Sequence, residues 1–191
     1  MNANIILRSA RVSDAPMVAR MIMMAMNDEC CQFFCGPDHT LDDFHRLMTA
    51  LVERADTQYS YLNTICAEDT VTGTVCGVCV TYDGGKLAVL RQPFWDAALA
   101  EWGMDHSNMT DETQPGELYL DSLAVLPDYR GNGIAKALIR AAKEKATGMS
   151  LPLGLLVDCG NPNAEALYTS IGFKYVDDNM WGGHKMRHLQ W

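Results

Sequence analysis

The sequence predicts one mixed α/β (α+β) domain, a central sheet of about six to seven strands flanked by helices. Three observations carry this. Strand-like and helix-like patterns alternate along all 191 residues. No repeat or low-complexity linker divides them, and the second half holds a strand, a glycine-rich turn and a helix in direct succession. A chain of this length buries a substantial core as one ordinary domain, and 48% hydrophobic with 20% charged residues describes a folded protein.

Each element has its own signal. Residues 5–10 read as a first strand. Ser13 or Asp14 can cap a helix whose first turn tolerates Pro16, with Met17, Met21 and Met24 on one face. Thr40, followed by Asp42 and Asp43, opens a second helix on which Leu41, Phe44, Met48, Leu51 and Val52 recur at helical spacing. Residues 63–67 and 74–82 are rich in Val, Thr, Ile and Cys around turn residues, and read as an antiparallel hairpin. Residues 86–104 look helical, with or without a break at Pro93, and the polar run 105–116 looks like a loop.

Residues 117–126 form a strand by composition, but its apolar residues change parity: Leu118 and Leu120 share one face while Leu123 and Val125 fall on the other. A β-bulge near Asp121 and Ser122 restores them to one side. Residues 132–147 predict a helix with Ile134, Ala137, Leu138, Ala141 and Ala142 on its apolar face, stopped by Gly148. A strand at 153–158, a helix at 161–170 ended by Gly172, and strands at 173–177 and 184–189 complete the order.

Composition narrows the function. A net charge of −9 without clustered Lys and Arg argues against nucleic-acid binding. The opening lacks a charged segment leading into an apolar one, and the run from Met17 to Met26 is interrupted by Arg20 and shorter than the ~18 residues of a membrane span. Both point to the cytoplasm, with no membrane partner. Seven cysteines, an odd number, fit reduced thiols better than a disulfide framework. Cys30, Cys31, Cys35 and His39 are the one cluster inviting a metal, but their spacing does not suit zinc and none is expected.

The segment that carries chemistry runs from Leu123 to Ala135, strand then tight loop then Gly131-Asn132-Gly133 then helix. Glycines let backbone amides approach a pyrophosphate, the helix start offers unpaired N–H groups, and Arg130 can add a charged contact. Spacing rejects two phosphate motifs. A dinucleotide fingerprint needs a small residue where Lys136 stands, and a Walker turn needs a Gly-Lys pair at a set distance from Gly131, where there is none.

Here the sequence resembles the GNAT acetyltransferase family. Arg130, Gly133 and Ala135 match its Arg/Gln-x-x-Gly-x-Gly/Ala motif after the apolar Leu123-Ala124-Val125 run, and Asn161, Ala164, Leu167 and Tyr168 followed by Gly172-Phe173 are similar to its second motif. Leu7-Arg8 with Asp14-Ala15 resembles its usual start, so the likeness spans nearly the whole chain. The resemblance implies that the strand at 118–125 splays from the one at 153–158, with the acetyl-CoA pantetheine arm in the gap. Leu123, Ala124, Val125, Arg130, Gly131, Asn132, Gly133, Ile134, Ala135, Asn161 and Tyr168 then hold the donor.

It also implies direct transfer from thioester to a primary amine through a tetrahedral intermediate, polarised by backbone N–H groups near Ala124. An amine of pKa ~10.4 must lose a proton first, and Glu117 or Asp121 could take it; for each, a solvated strand carboxylate is the alternative. Tyr168 matches the family tyrosine placed to protonate the departing thiolate, or else packs under CoA. Cys159 lacks a His partner and is not the expected nucleophile. The acceptor is expected to be a small amine, walled in part by an insertion at 86–116 bearing Phe94, Trp95 and Trp102. A protein N-terminal or lysine acceptor, a silent acyl-CoA-binding module and a homodimer stay open.

Overall fold

A computed structural model describes residues 4–191; Met1–Ala3, part of the opening read for a leader, lie outside the described residues. The chain runs β1 (Ile5–Ser9), α1 (Ala15–Met26), α2 (Asp28–Cys35), α3 (Leu41–Glu53), β2 (Thr64–Asp69), β3 (Thr74–Asp83), α4 (Leu87–Trp102), β4 (Leu118–Val125), α5 (Ile134–Gly148), β5 (Leu153–Asp158), α6 (Pro162–Ser170), β6 (Lys174–Trp181) and β7 (His184–Gln190). Seven strands make one sheet in the order β1-β2-β3-β4-β5-β7-β6. Every neighbouring pair is antiparallel except β4 and β5.

The sheet separates two cores. On one face Val18, Ile22, Phe44, Met48 and Leu51 from α1 and α3 bury Val78, Val80 and Ala124. On the other, Ile134, Leu138 and Ala142 from α5 bury Ala67, Cys79, Leu120 and Leu155. Each such aliphatic side chain contributes roughly 1.5–3 kcal/mol on leaving water. Gly77 sets the spacing of the second layer, because a Cβ there would lie 2.9 Å from Ile134 and 3.1 Å from Leu138.

The β4 bulge lies where the parity change placed it. Thr81 pairs with Leu120 and Val80 with Ser122, so Asp121 is the extra residue. Leu118, Leu120, Leu123 and Val125 all join the α5-side cluster as a result. Lys145 Nζ reaches this irregular point from α5, donating to the Thr81 carbonyl (3.1 Å) and Oγ1 (2.9 Å).

Helix α4 settles an open alternative, and three other elements differ from expectation. Pro93 does not break α4, which is continuous through it. The proline lacks the N–H that would bond one turn back, and the Leu90 carbonyl nearby accepts the Gln58 backbone N–H at 2.9 Å. Helix α2 was not foreseen: Asn27 (φ 73°) caps it through Cys30 N–H, and Gly36 (φ 76°) closes it. The last two strands are longer than expected, β6 reaching Trp181.

Candidate active site

The parallel partners β4 and β5 touch through only two residue pairs, Leu118 with Leu153 and Tyr119 with Gly154. Beyond them β4 stays paired to β3 as far as Val125, and β5 to β7 as far as Asp158. The strands therefore part, and the facing edges of Leu120–Val125 and Leu155–Asp158 carry backbone groups available to an added extended chain. Leu123 and Val125 are half-buried beside this opening and Ala124 packs on the opposite face.

At the wide end sits the turn. Gly131 (φ 77°) and Gly133 (φ 76°) both occupy the left-handed region, and open space surrounds Gly131. Asn132 Nδ2 closes the turn on the Tyr129 and Arg130 carbonyls at 3.1 and 3.2 Å. Tyr129 fastens it to β2 through Asp69 (3.1 Å). Helix α5 starts without a side-chain cap and without acid in its first turn, so its first N–H groups face the turn unpaired. A groove beside it is lined by Gly133, Lys136, Arg140 and Lys143. An open glycine turn and free helix amides, with Lys136 and Arg140 on the adjoining face of α5, suit a diphosphate, while Lys143 is engaged by the Ile171 carbonyl at 2.6 Å.

The structure modifies individual assignments. Arg130 Nε folds back onto the Val125 carbonyl (3.1 Å), bracing the turn. Ile134 is 1% exposed and belongs to the core, leaving only its backbone to the turn, while Ala135 is half-buried. Asn161 Oδ1 is engaged as the cap of α6, accepting from Ala164 N–H at 3.1 Å. Tyr168 packs edge-on to Phe173 (5.6 Å) in the cluster that holds Cys79 and Leu123, and burial raises its phenol above the ordinary range.

The two candidate carboxylates diverge. Glu117 is 1% exposed and saturated, accepting from Thr113 Oγ1 (2.6 Å), His188 Nε2 (2.8 Å) and Gln190 Nε2 (2.8 Å). Burial pushes its pKa up, but these bonds outweigh it and hold the carboxyl below its usual range. Asp121, on the bulge, is half-buried and accepts from Ser122 Oγ (2.7 Å) and Gln58 Nε2 (3.5 Å). Burial drives its pKa up to about 7, with Glu112 adding to the rise against those bonds.

The family model described as "Acetyltransferase (GNAT) family" matches residues 23–173. The chain belongs to the GNAT acetyltransferase family. Among solved structures, one described as "The crystal structure of acetyltransferase" is 27% identical, with a TM-score of 0.77 over 97% of both chains. An N-acetyltransferase from Staphylococcus aureus Mu50 is 21% identical at a TM-score of 0.79, over 97% of this chain and 100% of that one. Arabidopsis thaliana NAA60 in complex with acetyl-CoA is 18% identical at 0.59, over 98% of each. No curated protein matches the chain by sequence.

The protein is thus an N-acetyltransferase drawing its acetyl group from acetyl-CoA, and the turn and free strand edges of this GNAT domain fit that donor. Sequence reasoning missed Gln58, whose amide reaches Asp121 from 63 positions away, and Glu112, which the same amide also meets. It also missed Lys136 and Arg140, whose i, i+4 spacing beside the turn was a readable signal. Phe94 and Trp102, read as pocket walls, belong to an aromatic core: Phe94 is 2% exposed against Phe34 (5.1 Å), and Trp102 stacks on Phe44 (5.8 Å). All seven cysteines are free, and no group of His, Cys, Asp and Glu among the described residues is arranged to hold a metal. No helix among those residues is long and apolar enough to cross a membrane.

Proposed function

We propose that this acetyltransferase acetylates the primary amine of a small molecule in a cytoplasmic setting, with Asp121 as base and Tyr168 as acid. The observation that carries the reading is Asp121 itself, a half-buried carboxyl on a bulge beside the strand gap, titrating at about 7. The amine nitrogen attacks the thioester carbonyl and its proton passes to Asp121. The C–S bond then breaks, and the CoA thiolate takes a proton from the Tyr168 hydroxyl. Tyr168 suits this because its raised pKa keeps it protonated through neutral pH. Glu117 has no such freedom, being committed to His188 and Gln190.

The segment 105–116, read as an insertion on the acceptor side, supports a small acceptor because it is fastened on several sides. His106 bonds the Phe34 carbonyl (2.9 Å), Thr110 donates to the Met180 carbonyl (2.8 Å), and Asp111 and Glu112 pair with Arg91. A peptide would require an open groove here. The free cysteines support a reducing compartment.

The test is thiol release from acetyl-CoA across panels of small amines and peptides. Asp121→Asn should lower turnover on the responsive amine by roughly 10²–10⁴, and wild-type activity should fall as pH drops below about 7. Tyr168→Phe should cost a similar factor at unchanged acetyl-CoA affinity. Turnover on peptides alone would replace the small-amine reading, and a Tyr168→Phe enzyme of nearly full rate would leave the proton to solvent.

A further inference from the structure

A polar cluster lies on the α1/α3 face of the sheet behind Asp121. Gln58, 3% exposed, shares one amide between two carboxylates: Nε2 stands 3.3 Å from Glu112 Oε1 and 3.5 Å from Asp121 Oδ1. Tyr82 donates its hydroxyl to the same Glu112 oxygen at 3.1 Å. Arg91, 7% exposed, donates to Glu112 Oε2 (3.0 Å) and Asp111 Oδ1 (2.6 Å), with its guanidinium 4.1 Å over the Trp95 ring. Glu112 thus has a buried cation. Asp121 has none, its contacts being a hydroxyl and the shared amide.

We propose that Glu112 is a positioning residue that sets the proton affinity of Asp121, its charge being locked in place by Arg91. This rests on Asp121 as the base. When two carboxyls share a buried site, the one holding the cation ionises first and its charge raises the proton affinity of the other. Here α4 and the segment before β4 supply that first charge.

Other groups around Asp121 do not take this role. Tyr59, Tyr82 and Tyr119 on the flanking elements are buried phenols raised well above their ordinary range, hence neutral near pH 7. The Cys30 and Cys31 thiols of α2 and the Cys79 thiol across the sheet are likewise raised by burial. The one ionisable side chain of α1, Arg20, is exposed. Lys145 lies on the opposite face, engaged with Thr81, and Glu117 is paired with His188.

The test is the pH profile of kcat/KM for thiol release with a responsive amine, alongside ¹³C titration of the aspartate and glutamate carboxyls. Glu112→Gln keeps the shape and an acceptor for Arg91 but removes the charge. Its acidic limb should move down by about one pH unit, so that the rate at pH 6 relative to pH 8 rises about fivefold. If that variant does not fold, because Arg91 keeps only Asp111 as its counter-charge, Arg91→Met combined with Glu112→Gln carries the same expectation. In the wild type, Asp121 should titrate near neutrality, and in the variant about one unit lower. An unmoved limb in a folded variant, or an Asp121 carboxyl whose titration does not move with it, overturns the inference. If Asp121→Asn keeps the acidic limb, the base assignment falls instead, and the carboxyl titration still reads the coupling of the two groups.

Discussion

Glu117, just before β4, and Asp121, on its bulge, lie four residues apart and have opposite electrostatic fates. At the closed end, where β4 still touches β5, Glu117 is matched by three donors, one of them an imidazole whose other nitrogen lies 3.3 Å from Asp177. The bond to Glu117 raises the His188 pKa above its ordinary value despite burial, so this end favours full ionisation. At the bulge, Asp121 is desolvated beside another anion and keeps its proton until near neutrality. Residue type sets neither role. What differs is the ratio of donors to desolvation, and only the under-satisfied carboxyl is left able to exchange protons.

The contrast can be broken most forcibly at Glu117. Replacing it by Gln removes one partner of a buried pair and should cost about 3–5 kcal/mol, read by denaturant unfolding at pH 5.5. The pH dependence has two edges. Glu117, depressed, contributes stability present above its unfolded pKa and lost as pH falls through the lower folded value. His188, raised, contributes stability present below its unfolded pKa and lost as pH rises through the higher folded value. The penalty should therefore be greatest between the two and smaller at both extremes. A penalty independent of pH would show that packing, not charge, holds the closed end.

A smaller effect is expected at Gly154. An added Cβ would fall 1.8 Å from Glu117 Oε2, so Gly154→Ala should cost about 2–3 kcal/mol and blunt the same pH dependence. An unchanged melting temperature would mean that the carboxylate can shift aside freely. The smallest change should be of opposite sign. Asp121 has a raised folded pKa, so its stabilising contribution is present below the unfolded pKa and lost as pH rises through about 7. Asp121→Asn should accordingly gain on the order of 2 kcal/mol at pH 8 and nothing at pH 4. A variant that loses both activity and stability at pH 8 would contradict the desolvated carboxyl.

The bulge was legible because strand side chains alternate with period two, so a parity break between Leu120 and Leu123 has few remedies. The turn and α5 were legible for a similar reason, since glycine spacing and a helical stripe are local signals. Helix α2 was not, because eight residues between Asn27 and Gly36 are too short for periodicity to emerge. The environments that separate the two carboxylates lay further out of reach. His188 meets Glu117 from 71 positions away and Gln58 meets Asp121 from 63, pairings made by the topology alone. Nor could composition tell that Phe94 and Trp102 fill a core, since aromatic residues serve cores and clefts alike.

The two-pair contact between β4 and β5 has a thermodynamic consequence. Backbone pairing across the middle of the sheet is deferred, so the ribbons β1–β4 and β5–β7–β6 are joined by Leu118, Tyr119 and the Glu117–His188 cross-tie over a short seam. A ligand whose amides bridge the two free edges would complete that seam. Its binding free energy would then also be cohesion between two halves of the fold, growing as RT ln(1 + [L]/Kd) with donor concentration.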